Sequence, residues 1–165
     1  MPSPDELGEE KGFSTIELMV IVLIIAILIA IAVPTFTGAR KTANDRATET
    51  NLRNAFAASR VLYNTQLRYS SVPSDLVAIE PALAWTTSPL DPSSPDRSVQ
   101  VQTLDIPDVG QTLELVGRSR SGRCFYLRDV MQGASTGTYY NAKAASGACP
   151  PVPDPSDSGW APQWP

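Results

Sequence analysis

The stretch GFSTIELMVIVLIIAILIAIAV, residues 12–33, decides the fold, because it sets one acidic side chain at the edge of an otherwise apolar helix. Sixteen consecutive apolar residues, Leu18 to Val33, follow Glu17 without interruption. As a helix they span about 24 Å, short of the roughly 30 Å hydrocarbon core of a bilayer. Residues 13–17 and 34–36 supply the missing length. An ionisable side chain in such a segment indicates a function, because its burial at mid-membrane costs about 2.5 to 3.5 kcal/mol.

Two ordinary interpretations of the apolar run leave Glu17 unexplained. Ala30-Ile31-Ala32 after an apolar stretch is the pattern of a cleaved secretory signal, but the residues before the run are acidic and Glu17 stands where the apolar region should begin. A plain transmembrane anchor accounts for the length and gives Glu17 no purpose. Both interpretations stay open on these residues alone.

The sequence KGFSTIELMV, residues 11–20, with Pro34 closing the apolar run, resembles the amino terminus of bacterial type IV pilins and pseudopilins. The resemblance implies that a prepilin peptidase removes residues 1–12 as a leader, cutting after Gly12, and methylates the new amine of Phe13. It also implies that Glu17 pairs with the Phe13 amine of a neighbouring subunit. A positive partner makes a carboxylate tolerable at an apolar edge. The alternative is a glutamate that reaches the lipid headgroups by itself.

The resemblance further implies a helical polymer of this chain. Residues 13–36 would rest in the inner membrane as a single-pass helix and then pack in the core of an extracellular pilus, with the head outside the cytoplasm. The implied partners are the prepilin peptidase, the assembly platform protein, its ATPase, the membrane and other copies of the chain. Arg40 and Lys41, after an acidic leader, count against this orientation under the positive-inside rule. A major pilin is expected, and a secretion pseudopilin or minor pilin is the alternative.

Composition argues against catalysis and against nucleic-acid binding. The 165 residues contain no histidine, the commonest general base, and none of the usual hydrolase, nucleotide-binding or metalloprotease motifs. We therefore expect no enzyme and no cofactor. The formal net charge is −4, of which residues 1–12 contribute −3 through four acids and Lys11, and no basic stripe joins clustered aromatic residues.

Residues 37–69 are predicted to continue the helix into the head. No glycine or proline interrupts residues 39–69, and apolar side chains recur at spacings of three and four. They are Phe36, Ala39, Ala43, Ala47, Leu52, Ala55, Phe56, Leu62 and Tyr63. Pro34 removes a backbone donor and Gly38 loosens the same turn, so these two positions are the predicted helix break, and the resemblance implies that the helix unwinds here in the filament.

The remaining residues predict an α+β head, in which the helix lies on a small antiparallel sheet as in the type IV pilin fold. Residues 70–97 are expected to be a connecting loop with a short capped helix at Ser74–Glu80. Residues 98–149 carry alternating runs at Ser98–Ile106, Thr112–Gly117 and Arg123–Val130, which predict an antiparallel meander. RSRSGRCFYLRD, residues 118–129, and the helical segments at 44–47 and 52–55 also resemble actinobacterial pilins.

Cys124 and Cys149 are the two cysteines of the chain and are predicted to form a disulfide in an oxidising compartment. The alternative is two buried free thiols in a cytosolic protein. Such a bridge closes a loop of about 25 residues and contributes roughly 3 to 3.5 kcal/mol in the chain-entropy model. The resemblance implies that the loop before Cys149, residues 133–148, packs back on the sheet.

Residues 150–165 are too rich in proline for regular structure, and Trp160 and Trp164 are their large apolar side chains. Packing of both on the sheet is favoured, because exposed tryptophans reduce solubility. The alternative is an exposed contact surface for glycans or other cells, as in a membrane-anchored or secreted adhesive module. The aspartates at 91, 96, 105 and 108 suggest a calcium site, but their spacing fits no EF-hand, so no metal site is predicted.

Overall fold

The computed structural model describes residues 12–106 and 110–164. The predicted leader up to Lys11, together with Asp108 and Pro165, lies outside the described residues. The chain divides into two compact units, residues 1–39 and residues 40–165, with a continuous helix running from the first into the second.

The long helix α1, Thr15–Gln66, contains 52 residues. It begins directly after Ser14, whose carbonyl accepts a 3.1 Å hydrogen bond from the Leu18 amide. It ends because Leu67 adopts a left-handed conformation, φ 56°, and donates its amide to the Tyr63 carbonyl at 2.7 Å. The predicted helix is therefore confirmed, and its predicted end at residue 69 is wrong by three residues.

The half of α1 in the second unit packs through a seam of side chains spaced alternately by four and three residues. They are Thr48, Leu52, Ala55, Ser59 and Leu62, with Ala58 beside them. The predicted apolar stripe is correct from Leu52 onward. It is wrong for Phe36, Ala39, Ala43 and Ala47, whose side chains are exposed.

The sheet has five strands in the order β1-β2-β3-β4-β5. Their bounds are β1 Ala84–Thr86, β2 Ser98–Ile106, β3 Gly110–Arg118, β4 Arg123–Val130 and β5 Gly137–Ala144. Strands β2 to β5 form an antiparallel meander, and β1 pairs with β2 in parallel. The predicted α+β class, the meander and the bounds of β2 and β4 are confirmed.

Further differences from the sequence predictions concern three strands and the short helix. Strand β3 starts two residues earlier and ends one residue later than the predicted run Thr112–Gly117. The three-residue β1 lies in the predicted connecting loop, and β5 lies in the segment expected to be a disulfide-bounded loop. The short helix α2, Pro73–Val77, has Val72 as its N-cap and Pro73 as its first helical residue, whereas the sequence predicted a cap at Ser74. Instead, the Ser70 hydroxyl accepts the Val72 amide at 3.1 Å and donates to Asp75 Oδ2 at 2.8 Å.

The main core lies between α1 and the inner face of the sheet. The inward side chains of the central strands are Leu113, Leu115, Phe125 and Leu127, all 0% exposed. Gly117 allows the close approach of helix and sheet, because a Cβ atom there would lie 2.8 Å from Thr48 Cγ2. A second cluster covers the outer face of the sheet, made of Leu90, Val116, Cys124, Tyr126 and Cys149.

Candidate assembly site

The amino-terminal half of α1 exposes its side chains in the single chain. Side chains of residues 12–43 are exposed throughout, and the apolar part is long and hydrophobic enough to cross a membrane. Phe13 is 76% exposed and Phe36 63% exposed. A helix that is apolar on every side requires lipid or other apolar helices around it.

Glu17 lies in the first turn of α1, four residues after Phe13. The amino terminus of a helix carries a partial positive charge, so a carboxylate in the first turn is favoured there. Gly12, Phe13 and Ser14 precede the helix, and a Cβ atom at Gly12 would meet nothing within 4 Å. A side chain at the predicted cleavage position would therefore have free space around its Cβ atom. The predicted pairing between Glu17 and a Phe13 amine of another subunit stays a prediction.

Pro34 and Gly38 lie inside α1, which continues through both positions. Because proline has no amide hydrogen, one carbonyl of the preceding turn loses its helical partner. Threonine hydroxyls bond to carbonyls here: Thr35 Oγ1 donates to the Ala32 carbonyl at 2.8 Å, and Thr37 Oγ1 donates to the Pro34 carbonyl at 2.9 Å. Helical structure is thus kept in the single chain, and unwinding during assembly stays a prediction.

A buried carboxylate joins the end of α1 to the sheet, which the sequence did not indicate. Asp129 on β4 is 0% exposed and accepts hydrogen bonds from Tyr69 Oη at 2.6 Å and Thr138 Oγ1 at 2.6 Å. Arg60 Nη2 lies 3.1 Å from Asp129 Oδ1. Burial and the hydrogen bond to Asp129 raise the pKa of Tyr69. Asp129 is two residues after Leu127 and four after Phe125, so its side chain lies on the same inner face of β4. This alternation is the sequence feature that could have predicted its burial.

An ion pair lies on the outer face of the sheet, between Glu114 of β3 and Arg128 of β4. Arg128 Nε donates to Glu114 Oε1 at 2.8 Å, and both side chains are almost fully buried. Gln102 donates to the other carboxylate oxygen. Glu114 and Arg128 are directly paired across the two antiparallel strands, so their charges neutralise each other beneath the tail.

The disulfide between Cys124 and Cys149 is formed, with a Cα–Cα distance of 5.7 Å. It joins β4 to the start of the tail, residues 150–164. Both tryptophans of the tail pack on the sheet. Trp160 lies over Arg128, with the guanidinium carbon 4.6 Å from the ring centroid, and Trp164 lies 4.6 Å from Tyr140 and 5.5 Å from Phe125 between ring centroids.

A polar groove of about 720 Å³ lies between α1, residues 90–98 and residues 118–120. Asp96 pairs with Arg120 at 2.6 Å at an exposed position, and Asp91 accepts bonds from Ser93 and Ser94. The Ser93 hydroxyl, together with the Ser93 amide, lowers the pKa of Asp91. Within residues 12–106 and 110–164, no cluster of three acidic or cysteine side chains is arranged to hold a metal ion. The calcium hypothesis for Asp108 lies outside the described residues.

Comparison with known proteins finds similarity to two type IV pilus proteins. The chain is 35% identical over 66 residues, 40% of its length, to the type IV major pilin protein PilA of Myxococcus xanthus, of which it covers 30%. It is 35% identical over 69 residues, 42% of its length, to the type IV wide pilus major component PilA4 of Thermus thermophilus, of which it covers 53%. The chain thus spans about a third to a half of the length of these curated relatives. No family model matches the chain, and no solved structure matches it.

These relatives confirm the resemblance to type IV pilins that the residues around Glu17 predicted. The long apolar helix, the five-stranded sheet and the Cys124–Cys149 disulfide are consistent with the α+β type IV pilin fold. Neither relative confirms the finer resemblance to actinobacterial pilins.

Proposed function

We propose that this chain is a structural subunit of a type IV pilus, a major pilin that polymerises through the amino-terminal half of α1. It performs no catalysis and needs no cofactor. One observation carries the proposal: a helix with an apolar surface on every side, exposed in the single chain, carries one carboxylate, Glu17, in its first turn. The similarity to two major pilus proteins supports the same function.

The apolar surface drives insertion of the precursor into the membrane and requires an apolar environment again in the filament. Each large aliphatic side chain of residues 16–33 that moves out of water contributes roughly 1.5 to 3 kcal/mol. The bilayer supplies that environment to the precursor, and the helices of neighbouring copies supply it in the filament. Contacts between different faces of identical subunits produce an open helical polymer, which is the form that an elongating fibre requires.

Glu17 gives this apolar packing its register. Apolar helices slide past one another at little cost, whereas a buried carboxylate without a partner is costly and one beside an amine is neutralised. The amine is that of Phe13, which exists only after the peptidase cuts behind Gly12. Only processed subunits would therefore assemble in register.

The head lies outside the cytoplasm in this proposal, and the peptidase, the platform protein and its ATPase act at the inner membrane. The disulfide supports this location, because disulfides persist in oxidising compartments. An adhesive module with an exposed tryptophan surface is disfavoured, because Trp160 and Trp164 pack against the two core clusters. A pseudopilin or minor pilin is the alternative in the same family.

Mass spectrometry of the mature protein and filament yield test the proposal together. We expect a terminus at Phe13 carrying one added methyl group. Glu17→Ala and Glu17→Gln should be processed normally and give at least tenfold fewer filaments. Asp105→Ala, which removes an exposed carboxylate from β2, is the matched control and should assemble as the native chain does. An uncut chain, or normal filament yield from both Glu17 variants, would contradict the proposal.

A further inference from the structure

The last strand of the sheet, β5, has an unusual combination of sequence and position. It is an edge strand, paired on one side with β4. Its residues Thr138 to Ala142 contain two tyrosines and no charge, and Lys143 is the single charged residue of the strand. Edge strands of high β-propensity and low charge pair readily with other chains. This edge therefore requires protection.

The tail, residues 150–164, supplies a partner at the middle of that edge. The Tyr140 amide donates to the Ala161 carbonyl at 2.8 Å, and the Ala161 amide donates to the Tyr140 carbonyl at 3.0 Å. The two residues form an antiparallel bridge. In an antiparallel ladder, the outward-facing backbone groups of β5 are those of alternate residues, and Tyr140 is central among them.

Side chains of the tail hold it on both faces of the sheet. Trp160, one residue before Ala161, lies on the outer face over Arg128, and Arg128 Nη2 also donates to the Pro153 carbonyl at 2.9 Å. Trp164, three residues after Ala161, lies on the inner face against Phe125 and Tyr140. The tail thus crosses the edge of β5 with one tryptophan on each side.

The tail does not create a new edge. Five prolines, at positions 150, 151, 153, 155 and 162, lack the amide hydrogen that a further ladder requires. Gly159 lies close to the sheet, because a Cβ atom there would be 2.8 Å from Asn141 Nδ2. The backbone of the tail bonds to the strand at one residue pair, Tyr140 and Ala161, and Asp157 adds an exposed ion pair with Lys143 at 2.9 Å. A segment of this kind, which cannot propagate the ladder, terminates the sheet.

We propose that the tail is an edge cap, which keeps β5 from pairing with β5 of a second copy of this chain. The partner excluded is an identical strand, because two such strands can pair antiparallel about a two-fold axis with tyrosine beside tyrosine. A strand added to β5 would need the backbone groups of Tyr140 that Ala161 occupies. The proposal concerns the head and does not rest on the proposed filament.

The test uses the full chain in detergent micelles, with hydrogen exchange of the β5 amides and sedimentation measured over a range of concentrations. Ala161→Pro removes the donor to Tyr140 and leaves both tryptophans in place. The Ala161 carbonyl, which accepts the Tyr140 amide, is kept, but loss of the other bond of the bridge destabilises the tail on the strand. At low concentration we therefore expect the Tyr140 amide to exchange about tenfold faster, because opening of the tail costs one hydrogen bond less. At high concentration, larger species should form and the amide should become protected again. Gln163→Ala, an exposed neighbour in the tail, is the matched control and should resemble the native chain.

A second substitution identifies the surface involved. Tyr139→Lys, added to the Ala161→Pro chain, puts a charge on β5 and should abolish association if it occurs through β5. Association that persists in this double variant would overturn the proposal, as would an Ala161→Pro chain that keeps the native size while its Tyr140 amide exchanges fast. If the Tyr140 amide still exchanges slowly in the Ala161→Pro chain, the same measurements are made on a chain truncated after Pro153, which lacks the bridge. A truncated chain that keeps the native size at all concentrations would overturn the proposal.

Discussion

At the residue scale, Asp129 shows how one buried side chain joins distant parts of the head. Its carboxylate receives bonds from Tyr69, which follows α1, and from Thr138 on β5, while Arg60 balances its charge. A buried carboxylate is stable only with such partners. The residue therefore links helix, sheet centre and sheet edge.

We expect Asp129→Ala to destabilise the head by about 3 kcal/mol, because it leaves Arg60 and the Tyr69 hydroxyl without their acceptor. Urea unfolding monitored by tryptophan fluorescence measures the change. Thr138→Val removes one of the three donors and should cost only about 1 kcal/mol. Equal losses from the two variants would contradict the central role of the carboxylate.

Two buried tyrosines predict a loss of stability at alkaline pH. Burial raises the pKa of Tyr126 to about 12, and burial with the bond to Asp129 raises that of Tyr69. In the unfolded chain both ionise near pH 10. Their stabilising contribution is therefore fully present below pH 10 and is lost as the pH rises towards 12 and above.

Urea titrations between pH 9 and pH 11.5, with tyrosinate absorbance recorded in parallel, measure this effect. Stability should be nearly flat up to about pH 10 and then fall by on the order of 1 kcal/mol or more per pH unit. Tyr126→Phe provides a comparison, because it removes one of the two buried hydroxyls and should make the fall above pH 10 less steep. A stability that rises above pH 10 would contradict the assignment.

At the scale of elements, α1 combines two helices with different requirements. Its first half is apolar on every side and its second half has one packed seam, and Pro34 and Gly38 lie between them. The helix passes through both residues with threonine hydroxyls bonded to nearby carbonyls. The turn around Pro34 and Gly38 therefore has fewer or weaker helical stabilising interactions than the rest of α1, yet it stays helical in the single chain.

Gly38→Ala tests whether that weakness matters. A Cβ atom at Gly38 would meet nothing within 4 Å, so the substitution fits and should stabilise the helix by about 1 kcal/mol. Amides of residues 35–42 should exchange about five-fold more slowly in micelles. If assembly requires unwinding here, filament yield should fall although the subunit is more stable. Faster exchange in the variant would contradict the steric argument, and Ala39→Gly, the reverse change one residue on, should speed exchange.

At the scale of the whole molecule, the disulfide and the tail add buried contacts to a head whose hydrophobic core is small. The bridge fixes Cys149 to β4, and from there the tail covers the outer face of the sheet and the β5 edge. In this way the head buries both faces of its central strands although many of the chain's apolar residues lie in the amino-terminal helix.

The double variant Cys124→Ser/Cys149→Ser should lose about 3 kcal/mol of stability, the value expected for a loop of about 25 residues. Thermal unfolding followed by circular dichroism measures the loss. The native chain treated with a dithiol reductant should show the same lower midpoint, while the double variant should not respond to the reductant. Equal midpoints for oxidised and reduced native chain would show that the bridge contributes little.

The sequence by itself determined the features that depend on nearby residues, or on a residue type with one possible partner, as for the two cysteines. The apolar run with Glu17, the strands β2 and β4, and the pairing of the two cysteines all follow from local periodicity or composition. The tertiary structure decided what depends on contacts between distant residues. Arg60 meets Asp129 across 69 positions, and Ala161 bridges to Tyr140 in a tail whose prolines predict no strand. β1 and β5 carry weak patterns of their own and form because a neighbouring strand supplies their hydrogen bonds, since strand pairing is an interaction between segments and not a property of either one.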